Sequence, residues 1–375
     1  MIVDNINKII ERPRVLLAPL DWGLGHATRC IPIINVLNGH NIEVFIAAEG
    51  AVAELLQKEF PAIVILPLKG YKVNYSRNKG FFFIKMLLQF PGLIASIINE
   101  KKWLTQIVKQ YKIHAVISDN RFGLNLSKTP CVYVTHQLFI QTGNQLLNKI
   151  AQRINYYFIN KFDECWIPDA EGINNLAGKL SHPAALPDTP VKYLGILSRC
   201  KKIITEKKYD LLLLLSGPEP QRTIFENILL GQLKNMDGTI VLVRGLPGIE
   251  KKLSVENKRL VVHDHLAAEA LNELMQQSVN IIARCGYSTI MDLVTMQQKA
   301  ILVPTPGQTE QEYLGNYLME RKLFFTCAQE KFSIQQALGT VRHFNFTSTG
   351  DIESLHKNVI EDWITSLKKT VIALQ

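Results

Sequence analysis

A single stretch, residues 14–48, reads RVLLAPLDWGLGHATRCIPIINVLNGHNIEVFIAA and contains a complete β-α-β unit. Residues 14–20 and 42–48 are continuous apolar runs, which predict strands that are buried on both faces. Between them, apolar residues recur at helical spacing over residues 31–37, and Gly39 ends the predicted helix. A buried strand, a helix and a second buried strand in this order indicate a parallel α/β sheet.

The same pattern continues along the chain and begins again in its second half. Residues 198–210, SRCKKIITEKKYD, are polar and rich in lysine, which is typical of an interdomain linker. The further apolar runs that predict strands are 62–68, 114–118, 131–135 and 164–168 before this segment, and 210–217, 239–245, 259–264, 279–286 and 299–307 after it. We predict an α/β fold of two Rossmann-like parallel-sheet domains that face a central crevice.

The pattern also predicts where the domains begin and end. Residues 1–196 form the first Rossmann-like domain and residues 197–350 the second. Residues 351–375 form a helical tail with apolar residues at helical spacing, which we expect to pack back on the first domain. Open parallel sheets bind ligands outside the carboxyl ends of their strands, so the loops that follow strands are where the site is expected.

The composition excludes several classes of protein. Hydrophobic residues make up 47% of the 375 residues and charged residues 20%, so the chain can bury a large core and is not a disordered protein. The six cysteines are scattered without a C-x-x-C pair, and the adjacent side chains of residues 263–265, HDH, do not converge easily on a metal. We therefore predict no metal site. The N-terminus has no apolar signal segment, so we expect a reduced, cytoplasmic protein.

The positive charge of the chain is concentrated in one region. The net charge is +9, and residues 69–112 hold nine basic residues against Glu100 alone. Within this region residues 80–98 are mostly apolar but are interrupted by a lysine, a glutamine and a proline, whereas a spanning helix needs about 20 apolar residues. Contact with an anionic membrane surface and a core helix under a basic loop both remain open. No aromatic residues alternate with the basic ones in an RNA-binding pattern, so nucleic acid is not expected.

A glycine-rich turn, Gly23-Leu24-Gly25-His26, joins the first predicted strand to the first helix. Glycine lets the backbone approach an anion closely, and the N-terminus of a helix is electropositive. A dinucleotide fingerprint needs a third glycine where Thr28 stands, so the match to a nicotinamide site is incomplete. A tight turn without a ligand and a nicotinamide site therefore both remain open from this motif.

His26 lies in the first turn of the predicted helix, where a positive charge is disfavoured. A neutral imidazole beside the crevice suits a general base, provided that another side chain orients it. Asp119 is the candidate for this role, because it follows another strand of the same sheet and would emerge at the same edge. A His–Asp dyad can remove a proton from an acceptor hydroxyl. The alternative for Asp119 is to cap a turn or a helix.

Two strand ends in the second half place polar side chains at the start of a helix. Residues 285–289, CGYST, offer successive N–H groups and two hydroxyl groups to a phosphate. Ser288 as an N-cap, and Thr289 with Asp292 as a capping box, are the alternative. Residues 305–312, TPGQTEQE, cluster hydrogen-bonding side chains that suit a sugar, or else form an exposed capped helix start.

This arrangement resembles the glycosyltransferases of the two-Rossmann GT-B type. Within them it is most similar to the branch that contains the bacterial N-acetylglucosaminyltransferases of peptidoglycan precursor synthesis and the UDP-glycosyltransferases. The most specific part is residues 281–318, IIARCGYSTIMDLVTMQQKAILVPTPGQTEQEYLGNYL. There a strand, a Ser/Thr-rich turn, an acidic helix residue, a second strand and Gln-Glu-Tyr follow in the order of the family.

The resemblance implies a role for each matching residue. His26 would be the catalytic base, Asp119 would orient it, and Leu266 would pack on the nucleotide base. Asp292 would bind the ribose, although a longer glutamate stands there in the family. The residues implied on the acceptor side are Gly23, Gly25, His136 and Gln137. The residues implied for the donor nucleotide sugar are Ser216, Gly217, Leu266, Arg284, Gly286, Tyr287, Ser288, Thr289, Asp292, Gln311 and Glu312.

The resemblance also implies an activity. The enzyme would move a sugar from a nucleotide diphosphate donor, UDP-linked, to an acceptor hydroxyl with inversion, without a cofactor or a metal. The basic, apolar region at residues 69–112 suggests a lipid-linked acceptor and a place at the inner face of the membrane. Three other functions remain open: a nucleotide-sugar 2-epimerase on the same fold, an NAD(P)-dependent oxidoreductase, and a nucleotide-sugar-binding module without turnover.

Overall fold

The computed structural model describes residues 12–71, 82–234, 236–246, 259–348 and 355–374, with the backbone alone for residues 82–90 and 374. In these residues the chain forms two sheets of seven and six strands, and the strand pairs in both are parallel. The α/β class with two parallel sheets, predicted from the continuous apolar runs, is therefore confirmed.

The first sheet belongs to the N-terminal half. Its strands are β1 (Arg14–Pro19), β2 (Glu43–Ala47), β3 (Val64–Leu66), β4 (Ala115–Asp119), β5 (Cys131–Val134), β6 (Glu164–Ile167) and β7 (Val191–Tyr193). The helices that connect them are α1 (Leu24–Gly39), α2 (Gly50–Glu59), α3 (Phe82–Gln110) and α4 (Gln145–Ile159). The strand order is β3-β2-β1-β4-β5-β6-β7, so the direction of winding reverses between β1 and β4.

The second sheet repeats this plan. Its strands are β8 (Tyr209–Leu214), β9 (Ile240–Val243), β10 (Leu260–His263), β11 (Ser278–Arg284), β12 (Ile301–Val303) and β13 (Phe325–Thr326). Its helices are α5 (Gln221–Leu233), α6 (Ala268–Gln277), α7 (Tyr287–Thr295), α8 (Thr309–Glu320) and α9 (Ile334–Val341). The order is β10-β9-β8-β11-β12-β13, so the reversal falls between β8 and β11.

The apolar runs are continuous because helices cover both faces of each sheet. In β1, Val15 and Leu17 belong to one hydrophobic core, while Leu16 and Ala18 belong to the core on the opposite face. All four side chains are fully buried. Because successive strand residues point to opposite faces, an alternating pattern would have left one of these cores without apolar side chains.

The chain ends in a helix that crosses back to the first domain. This helix, α10 (His356–Leu374), packs against α1. The Lys368 ammonium group donates to the carbonyl oxygen of His40 at 3.0 Å, and Trp363 packs edge-on against Trp166 with ring centroids 5.5 Å apart. The tail therefore joins the two halves of the chain a second time.

Some predictions fall partly outside the described residues. The side chains of residues 80–90 and all of residues 72–81 lie outside them, so the membrane interpretation of residues 80–98 stays a prediction. Within the described part of the chain, no helix is long and apolar enough to cross a membrane, and no cluster of His, Cys, Asp and Glu side chains could hold a metal ion. The exact domain boundaries at 196 and 350 also stay predictions.

Candidate active site

A cleft of about 2130 Å³ lies where the carboxyl edges of the two sheets meet. Both reversal points of the strand order open into it, as expected for ligand sites of open parallel sheets. The predicted site residues that line the cleft are Gly23, Gly25, His26, His136, Gln137, Ser216, Gly217, Leu266, Gly286, Tyr287, Ser288, Thr289, Asp292 and Gln311. Residues from both halves of the sequence thus face one space.

Three predicted residues are not part of this lining. Asp119 is fully buried directly behind His26. Arg284 is also buried, with its guanidinium 4.2 Å from the ring centroid of Phe225, and burial lowers its pKa to about 9. Glu312 accepts a hydrogen bond from the backbone N–H of Gly307 at 3.0 Å. Arg284 and Glu312 therefore make structural contacts within the second domain, and the donor contacts that the resemblance implied for them stay predictions.

His26 lies in the first turn of α1, shortly after the glycine that the turn requires. The N-cap residue Gly23 has a φ of 131°, in the region that favours glycine. His26 Nδ1 lies 3.1 Å from Asp119 Oδ1, which stands at the end of the neighbouring strand β4. Burial lowers the pKa of His26, and this effect exceeds the opposing attraction of Asp119. His26 is therefore a largely neutral imidazole held by a carboxylate.

Arg29 is a third member of this group, and the motifs of the sequence did not indicate it. Its Nε donates to Asp119 Oδ2 at 2.8 Å, and its Nη2 donates to the other carboxylate oxygen. Burial alone would raise the pKa of Asp119, but the guanidinium of Arg29 and then His26 hold it well below its usual range. The available signal was the spacing of His26 and Arg29, because residues three apart share a helix face.

His136 connects this group to the second domain. Its Nδ1 lies 3.0 Å from Nη1 of Arg29, and its Nε2 lies 2.7 Å from Oε1 of Glu310 in the first turn of α8. Gln137 donates to the other oxygen of the same carboxylate. The ring of His136 also stacks on Tyr287. The start of α8 is thus an interdomain contact, and its interpretation as an exposed capped helix start is wrong.

The first turn of α7 has no side-chain cap within the described residues. Its N-cap residue is Gly286, and the Ser288 hydroxyl donates across the cleft to the carbonyl oxygen of Gly25 at 2.8 Å. Asp292 accepts a hydrogen bond from the Ser198 hydroxyl at 2.6 Å, and burial raises its pKa. The N-cap and capping-box interpretation of these residues is therefore wrong. The electropositive end of α7 faces the cleft and the N-terminus of α1.

Arg199 is a second residue that the sequence analysis missed, because it lies in the lysine-rich segment assigned to the linker. It lines the cleft. Its Nε and Nη1 atoms are buried and have no hydrogen-bond partner in the described part of the chain. Its charge also acts on the nearby Asp292 carboxylate. Buried donors normally find partners, so this guanidinium is available to an anionic or polar ligand.

The loop that follows β8 also lines the cleft. Gly217 has a φ of 99°, and no described atom lies within 4 Å of the place where a Cβ would stand. A side chain is thus excluded by the backbone conformation and not by crowding. Ser216, Gly217 and Leu266 all belong to the lining of the cleft.

This fold has known counterparts. Residues 250–347 match the glycosyltransferase family 28 C-terminal domain. The two parallel sheets match solved glycosyltransferase structures along nearly the whole chain. The fold is therefore GT-B, and with the family 28 domain it makes the protein a glycosyltransferase.

Individual relatives agree with this class. The UDP-N-acetylglucosamine--N-acetylmuramyl-(pentapeptide) pyrophosphoryl-undecaprenol N-acetylglucosamine transferase of Clostridium tetani is 23% identical over 314 residues, which are 80% of this chain and 79% of the relative. The kitacinnamycin glycosyltransferase superposes with a TM-score of 0.63 at 9% identity, over 97% of this chain and 96% of that one. The spinosyn rhamnosyltransferase SpnG complexed with thymidine diphosphate has a TM-score of 0.58 at 14% identity, over 96% and 99%. These matches give no support to the epimerase or oxidoreductase alternatives.

Proposed function

We propose that the protein transfers a sugar from a UDP-sugar to a hydroxyl group of an amphipathic acceptor, with inversion at the anomeric carbon. One observation carries the proposal. The His26–Asp119 dyad at the end of the first sheet faces, across the cleft, the uncapped N-terminus of α7 at the end of the second. A base on one side and an electropositive helix end on the other suit a displacement between an acceptor and a diphosphate.

In this reaction His26 is the catalytic base. Its Nε2 takes the proton of the acceptor hydroxyl while the acceptor oxygen forms a bond to the anomeric carbon. The bond from that carbon to the diphosphate oxygen breaks, and the electron pair leaves with the nucleoside diphosphate. Nδ1–H of His26 donates to Asp119, which holds the tautomer that leaves Nε2 free and stabilises the imidazolium. A single displacement of this kind inverts the anomeric configuration.

The second domain supplies the contacts to the donor. The backbone of residues 286–289 and the open loop at Gly217 would receive the diphosphate. Arg199 offers two buried N–H groups, at Nε and Nη1, that have no partner among the described residues, and it lies near Asp292, the residue proposed for the ribose. Positive groups at this place stabilise the charge of the departing diphosphate. The reaction needs no metal in this scheme, so turnover is expected to persist in excess EDTA.

The first domain supports an acceptor with an apolar part. On this side the lining of the cleft includes many apolar and aromatic side chains, among them Trp22, Tyr71, Leu93, Trp103, Phe122 and Ile140. Such a surface suits an alkyl or polyprenyl chain better than a free sugar. The name of the Clostridium tetani relative likewise contains an undecaprenol, which supports a lipid-linked acceptor.

An exposed apolar face of α4 supports contact with an anionic membrane surface. The exposed side chains on this face are Leu146, Ile150, Ile154 and Tyr157, and two of them, Ile150 and Ile154, also line the cleft. Two polar side chains of the helix, Asn148 and Asn155, are buried and hydrogen-bonded, whereas these apolar side chains are exposed. Its charged side chains, Lys149 and Arg153, are both basic. An apolar face with basic neighbours is typical of a helix that lies on anionic lipid, so we propose a peripheral protein of the cytoplasmic membrane face.

Product analysis tests the reaction. The protein is incubated with UDP-N-acetylglucosamine, UDP-glucose or UDP-galactose and a panel of long-chain alcohols and alkyl glycosides. Release of UDP together with a glycosylated acceptor of inverted anomeric configuration supports the proposal. Release of UDP and free 2-epimeric sugar, or a product of retained configuration, contradicts it.

A further inference from the structure

Arg29 contacts three ionisable side chains on the base side of the cleft, Asp119, His26 and His136, although the proposed reaction uses only His26 and Asp119. Its side chain is 2% exposed. Its Nε and Nη2 bind both oxygens of Asp119, and Nη2 also lies 2.9 Å from Nδ1 of His26. Its Nη1 lies 3.0 Å from Nδ1 of His136. Such a set of contacts affects both the charge and the tautomer of the base.

The charge of Arg29 works against the reaction. The positive guanidinium and the negative Asp119 neutralise each other, so a proton on His26 would leave a net positive charge at a buried place. A carboxylate that already binds a guanidinium with both oxygens also attracts an imidazolium less strongly. With the groups of the first domain alone, His26 is therefore a weak base.

Nδ1 of His26 has two neighbours that require different tautomers. It can donate a proton to Asp119, which leaves Nε2 free to act as the base, or it can accept one from Arg29, which places the proton on Nε2. His136 offers Arg29 another acceptor through its Nδ1. This acceptor exists only while His136 carries its own proton on Nε2, and Nε2 faces Glu310.

Glu310 is the only member of this group that comes from the second domain. It binds Nε2 of His136 at 2.7 Å and accepts from Gln137. Burial would raise its pKa, but His136 and then His26 outweigh this effect and lower it, so the carboxylate is charged. The negative charge of Glu310 offsets the positive charge of Arg29. Its hydrogen bond with Nε2 of His136 leaves Nδ1 of His136 available as an acceptor for Arg29.

We propose that Arg29, His136 and Glu310 form a positioning bridge that makes His26 a competent base only when the second domain contacts the first. The inference rests on the proposed function of His26 and deepens it. The ionisable groups around His26 come from four elements: Arg29 and Cys30 of α1, Asp119 of β4, His136 after β5, and Glu310 of α8, with Tyr287 of α7 stacked on His136. Among these groups of the described part of the chain, Glu310 alone adds a negative charge from the donor domain.

The first experiment is the titration of His26 by NMR in the full chain, with its resonance assigned by comparison with His26→Gln. Glu310→Gln keeps the size of the side chain but removes its charge, so the imidazolium loses an attraction and the pKa of His26 falls. Glu320→Gln, an exposed residue at the end of the same helix, is the matched control and leaves the pKa unchanged. An unchanged pKa of His26 in Glu310→Gln overturns the proposal. The titration needs no substrate, so its result is independent of whether the proposed reaction is correct.

The second experiment changes the opposite charge. Arg29→Met removes a repulsion, so the pKa of His26 rises, and Arg29→Lys restores the wild-type value because it keeps the positive charge. A pKa that falls or stays constant in Arg29→Met overturns the proposal. If Arg29→Met does not fold, because it leaves Asp119 buried without its guanidinium, the Glu310→Gln titration decides alone.

The third readout is the pH profile of turnover. In Glu310→Gln the acid limb of kcat/KM moves to lower pH and kcat falls by about tenfold, as for a weakened general base. If Glu310 only contacts the donor sugar, KM for the donor rises and the pH profile does not move, which contradicts the bridge.

Discussion

His136 of the first domain and Tyr287 of the second stack face to face across the cleft, with ring centroids 4.2 Å apart and ring planes 6° apart. The Tyr287 hydroxyl donates to the carbonyl oxygen of Pro168 at 2.8 Å, so the ring is held from the first domain as well. The stack orients His136, and through it the bridge to Arg29. The first residue of α7, at the proposed diphosphate site, is thus tied to the base side of the cleft.

Replacing Tyr287 separates the two contributions of its side chain. Tyr287→Phe keeps the stack and loses one hydrogen bond, so we expect kcat to fall by only a few fold. Tyr287→Leu loses the stack, which is worth about 0.5–1.5 kcal/mol, so kcat falls by up to about tenfold relative to Tyr287→Phe. Initial rates at saturating donor measure this, with thermal unfolding as the check on stability. Equal rates for the two variants would show that the stack does not position His136.

Loss of His26 is expected to remove the base without removing the donor site. His26→Ala should lower kcat on the order of 10²–10⁴-fold and leave the Kd of UDP unchanged. His40→Ala is the matched control, because His40 lies on the same chain segment at the far end of α1 and pairs with Glu361. Full turnover of His26→Ala would mean that another group is the base.

The pH dependence of the reaction follows from the burial of His26. Because burial lowers its pKa below the ordinary value of 6.5, the imidazole stays unprotonated, and therefore active as a base, at lower pH than a free histidine. We expect the acid limb of kcat/KM to lie below pH 6.5. An acid limb above that value would indicate that the Asp119 carboxylate dominates over burial.

Arg199 is expected to bind the donor through its unpartnered N–H groups. Arg199→Gln should lower the affinity for UDP by about 10- to 100-fold, since a hydrogen bond from a charged group contributes about 1.5–3 kcal/mol. Lys201→Gln, an exposed cation two residues away, removes the same charge and should leave the affinity unchanged. Isothermal titration with UDP measures both variants. Equal losses of UDP affinity in the two variants would show that Arg199 contributes only through its positive charge and not through hydrogen bonds to the donor.

The apolar face of α4 makes a prediction for membrane binding. The double variant Leu146→Glu with Tyr157→Glu should sediment with liposomes of phosphatidylglycerol at low salt much less than the wild type does, because it places acids on the face that would enter the lipid. Ile204→Glu is the control, since Ile204 is fully exposed in the segment that joins the two sheets. Equal sedimentation of all three proteins would contradict a role of this face.

The sequence predicted the parts of the site that are set by local order along the chain. His26 and Asp119 follow neighbouring parallel strands, whose carboxyl ends must meet at one edge, so the strand pattern is sufficient to predict their contact. The same reasoning placed Gly23 and Ser288 on the cleft, whereas Asp292 was placed there by the family resemblance. These positions require no knowledge of how the two domains are oriented.

The contacts between the domains could not be predicted in this way. Glu310 contacts His136 across 174 residues of sequence and so joins the two domains. This contact depends on how the two sheets face each other, which periodicity does not determine. The Arg29–His136 contact lies within the first domain, but it also joins residues 107 positions apart in the sequence. Ser288 shows the same limit, because its sequence context favours a helix cap but its hydroxyl instead binds the opposite domain.

The central claim is that the second domain binds the nucleotide of the donor and the first domain supplies the base. Calorimetric titration of UDP into the wild type, Asp292→Ala and His26→Ala tests it most directly. The account predicts a Kd for the wild type of about micromolar, a Kd at least about tenfold higher for Asp292→Ala, and an unchanged Kd for His26→Ala. Absence of UDP binding to the wild type, or binding that His26→Ala abolishes and Asp292→Ala preserves, would contradict it.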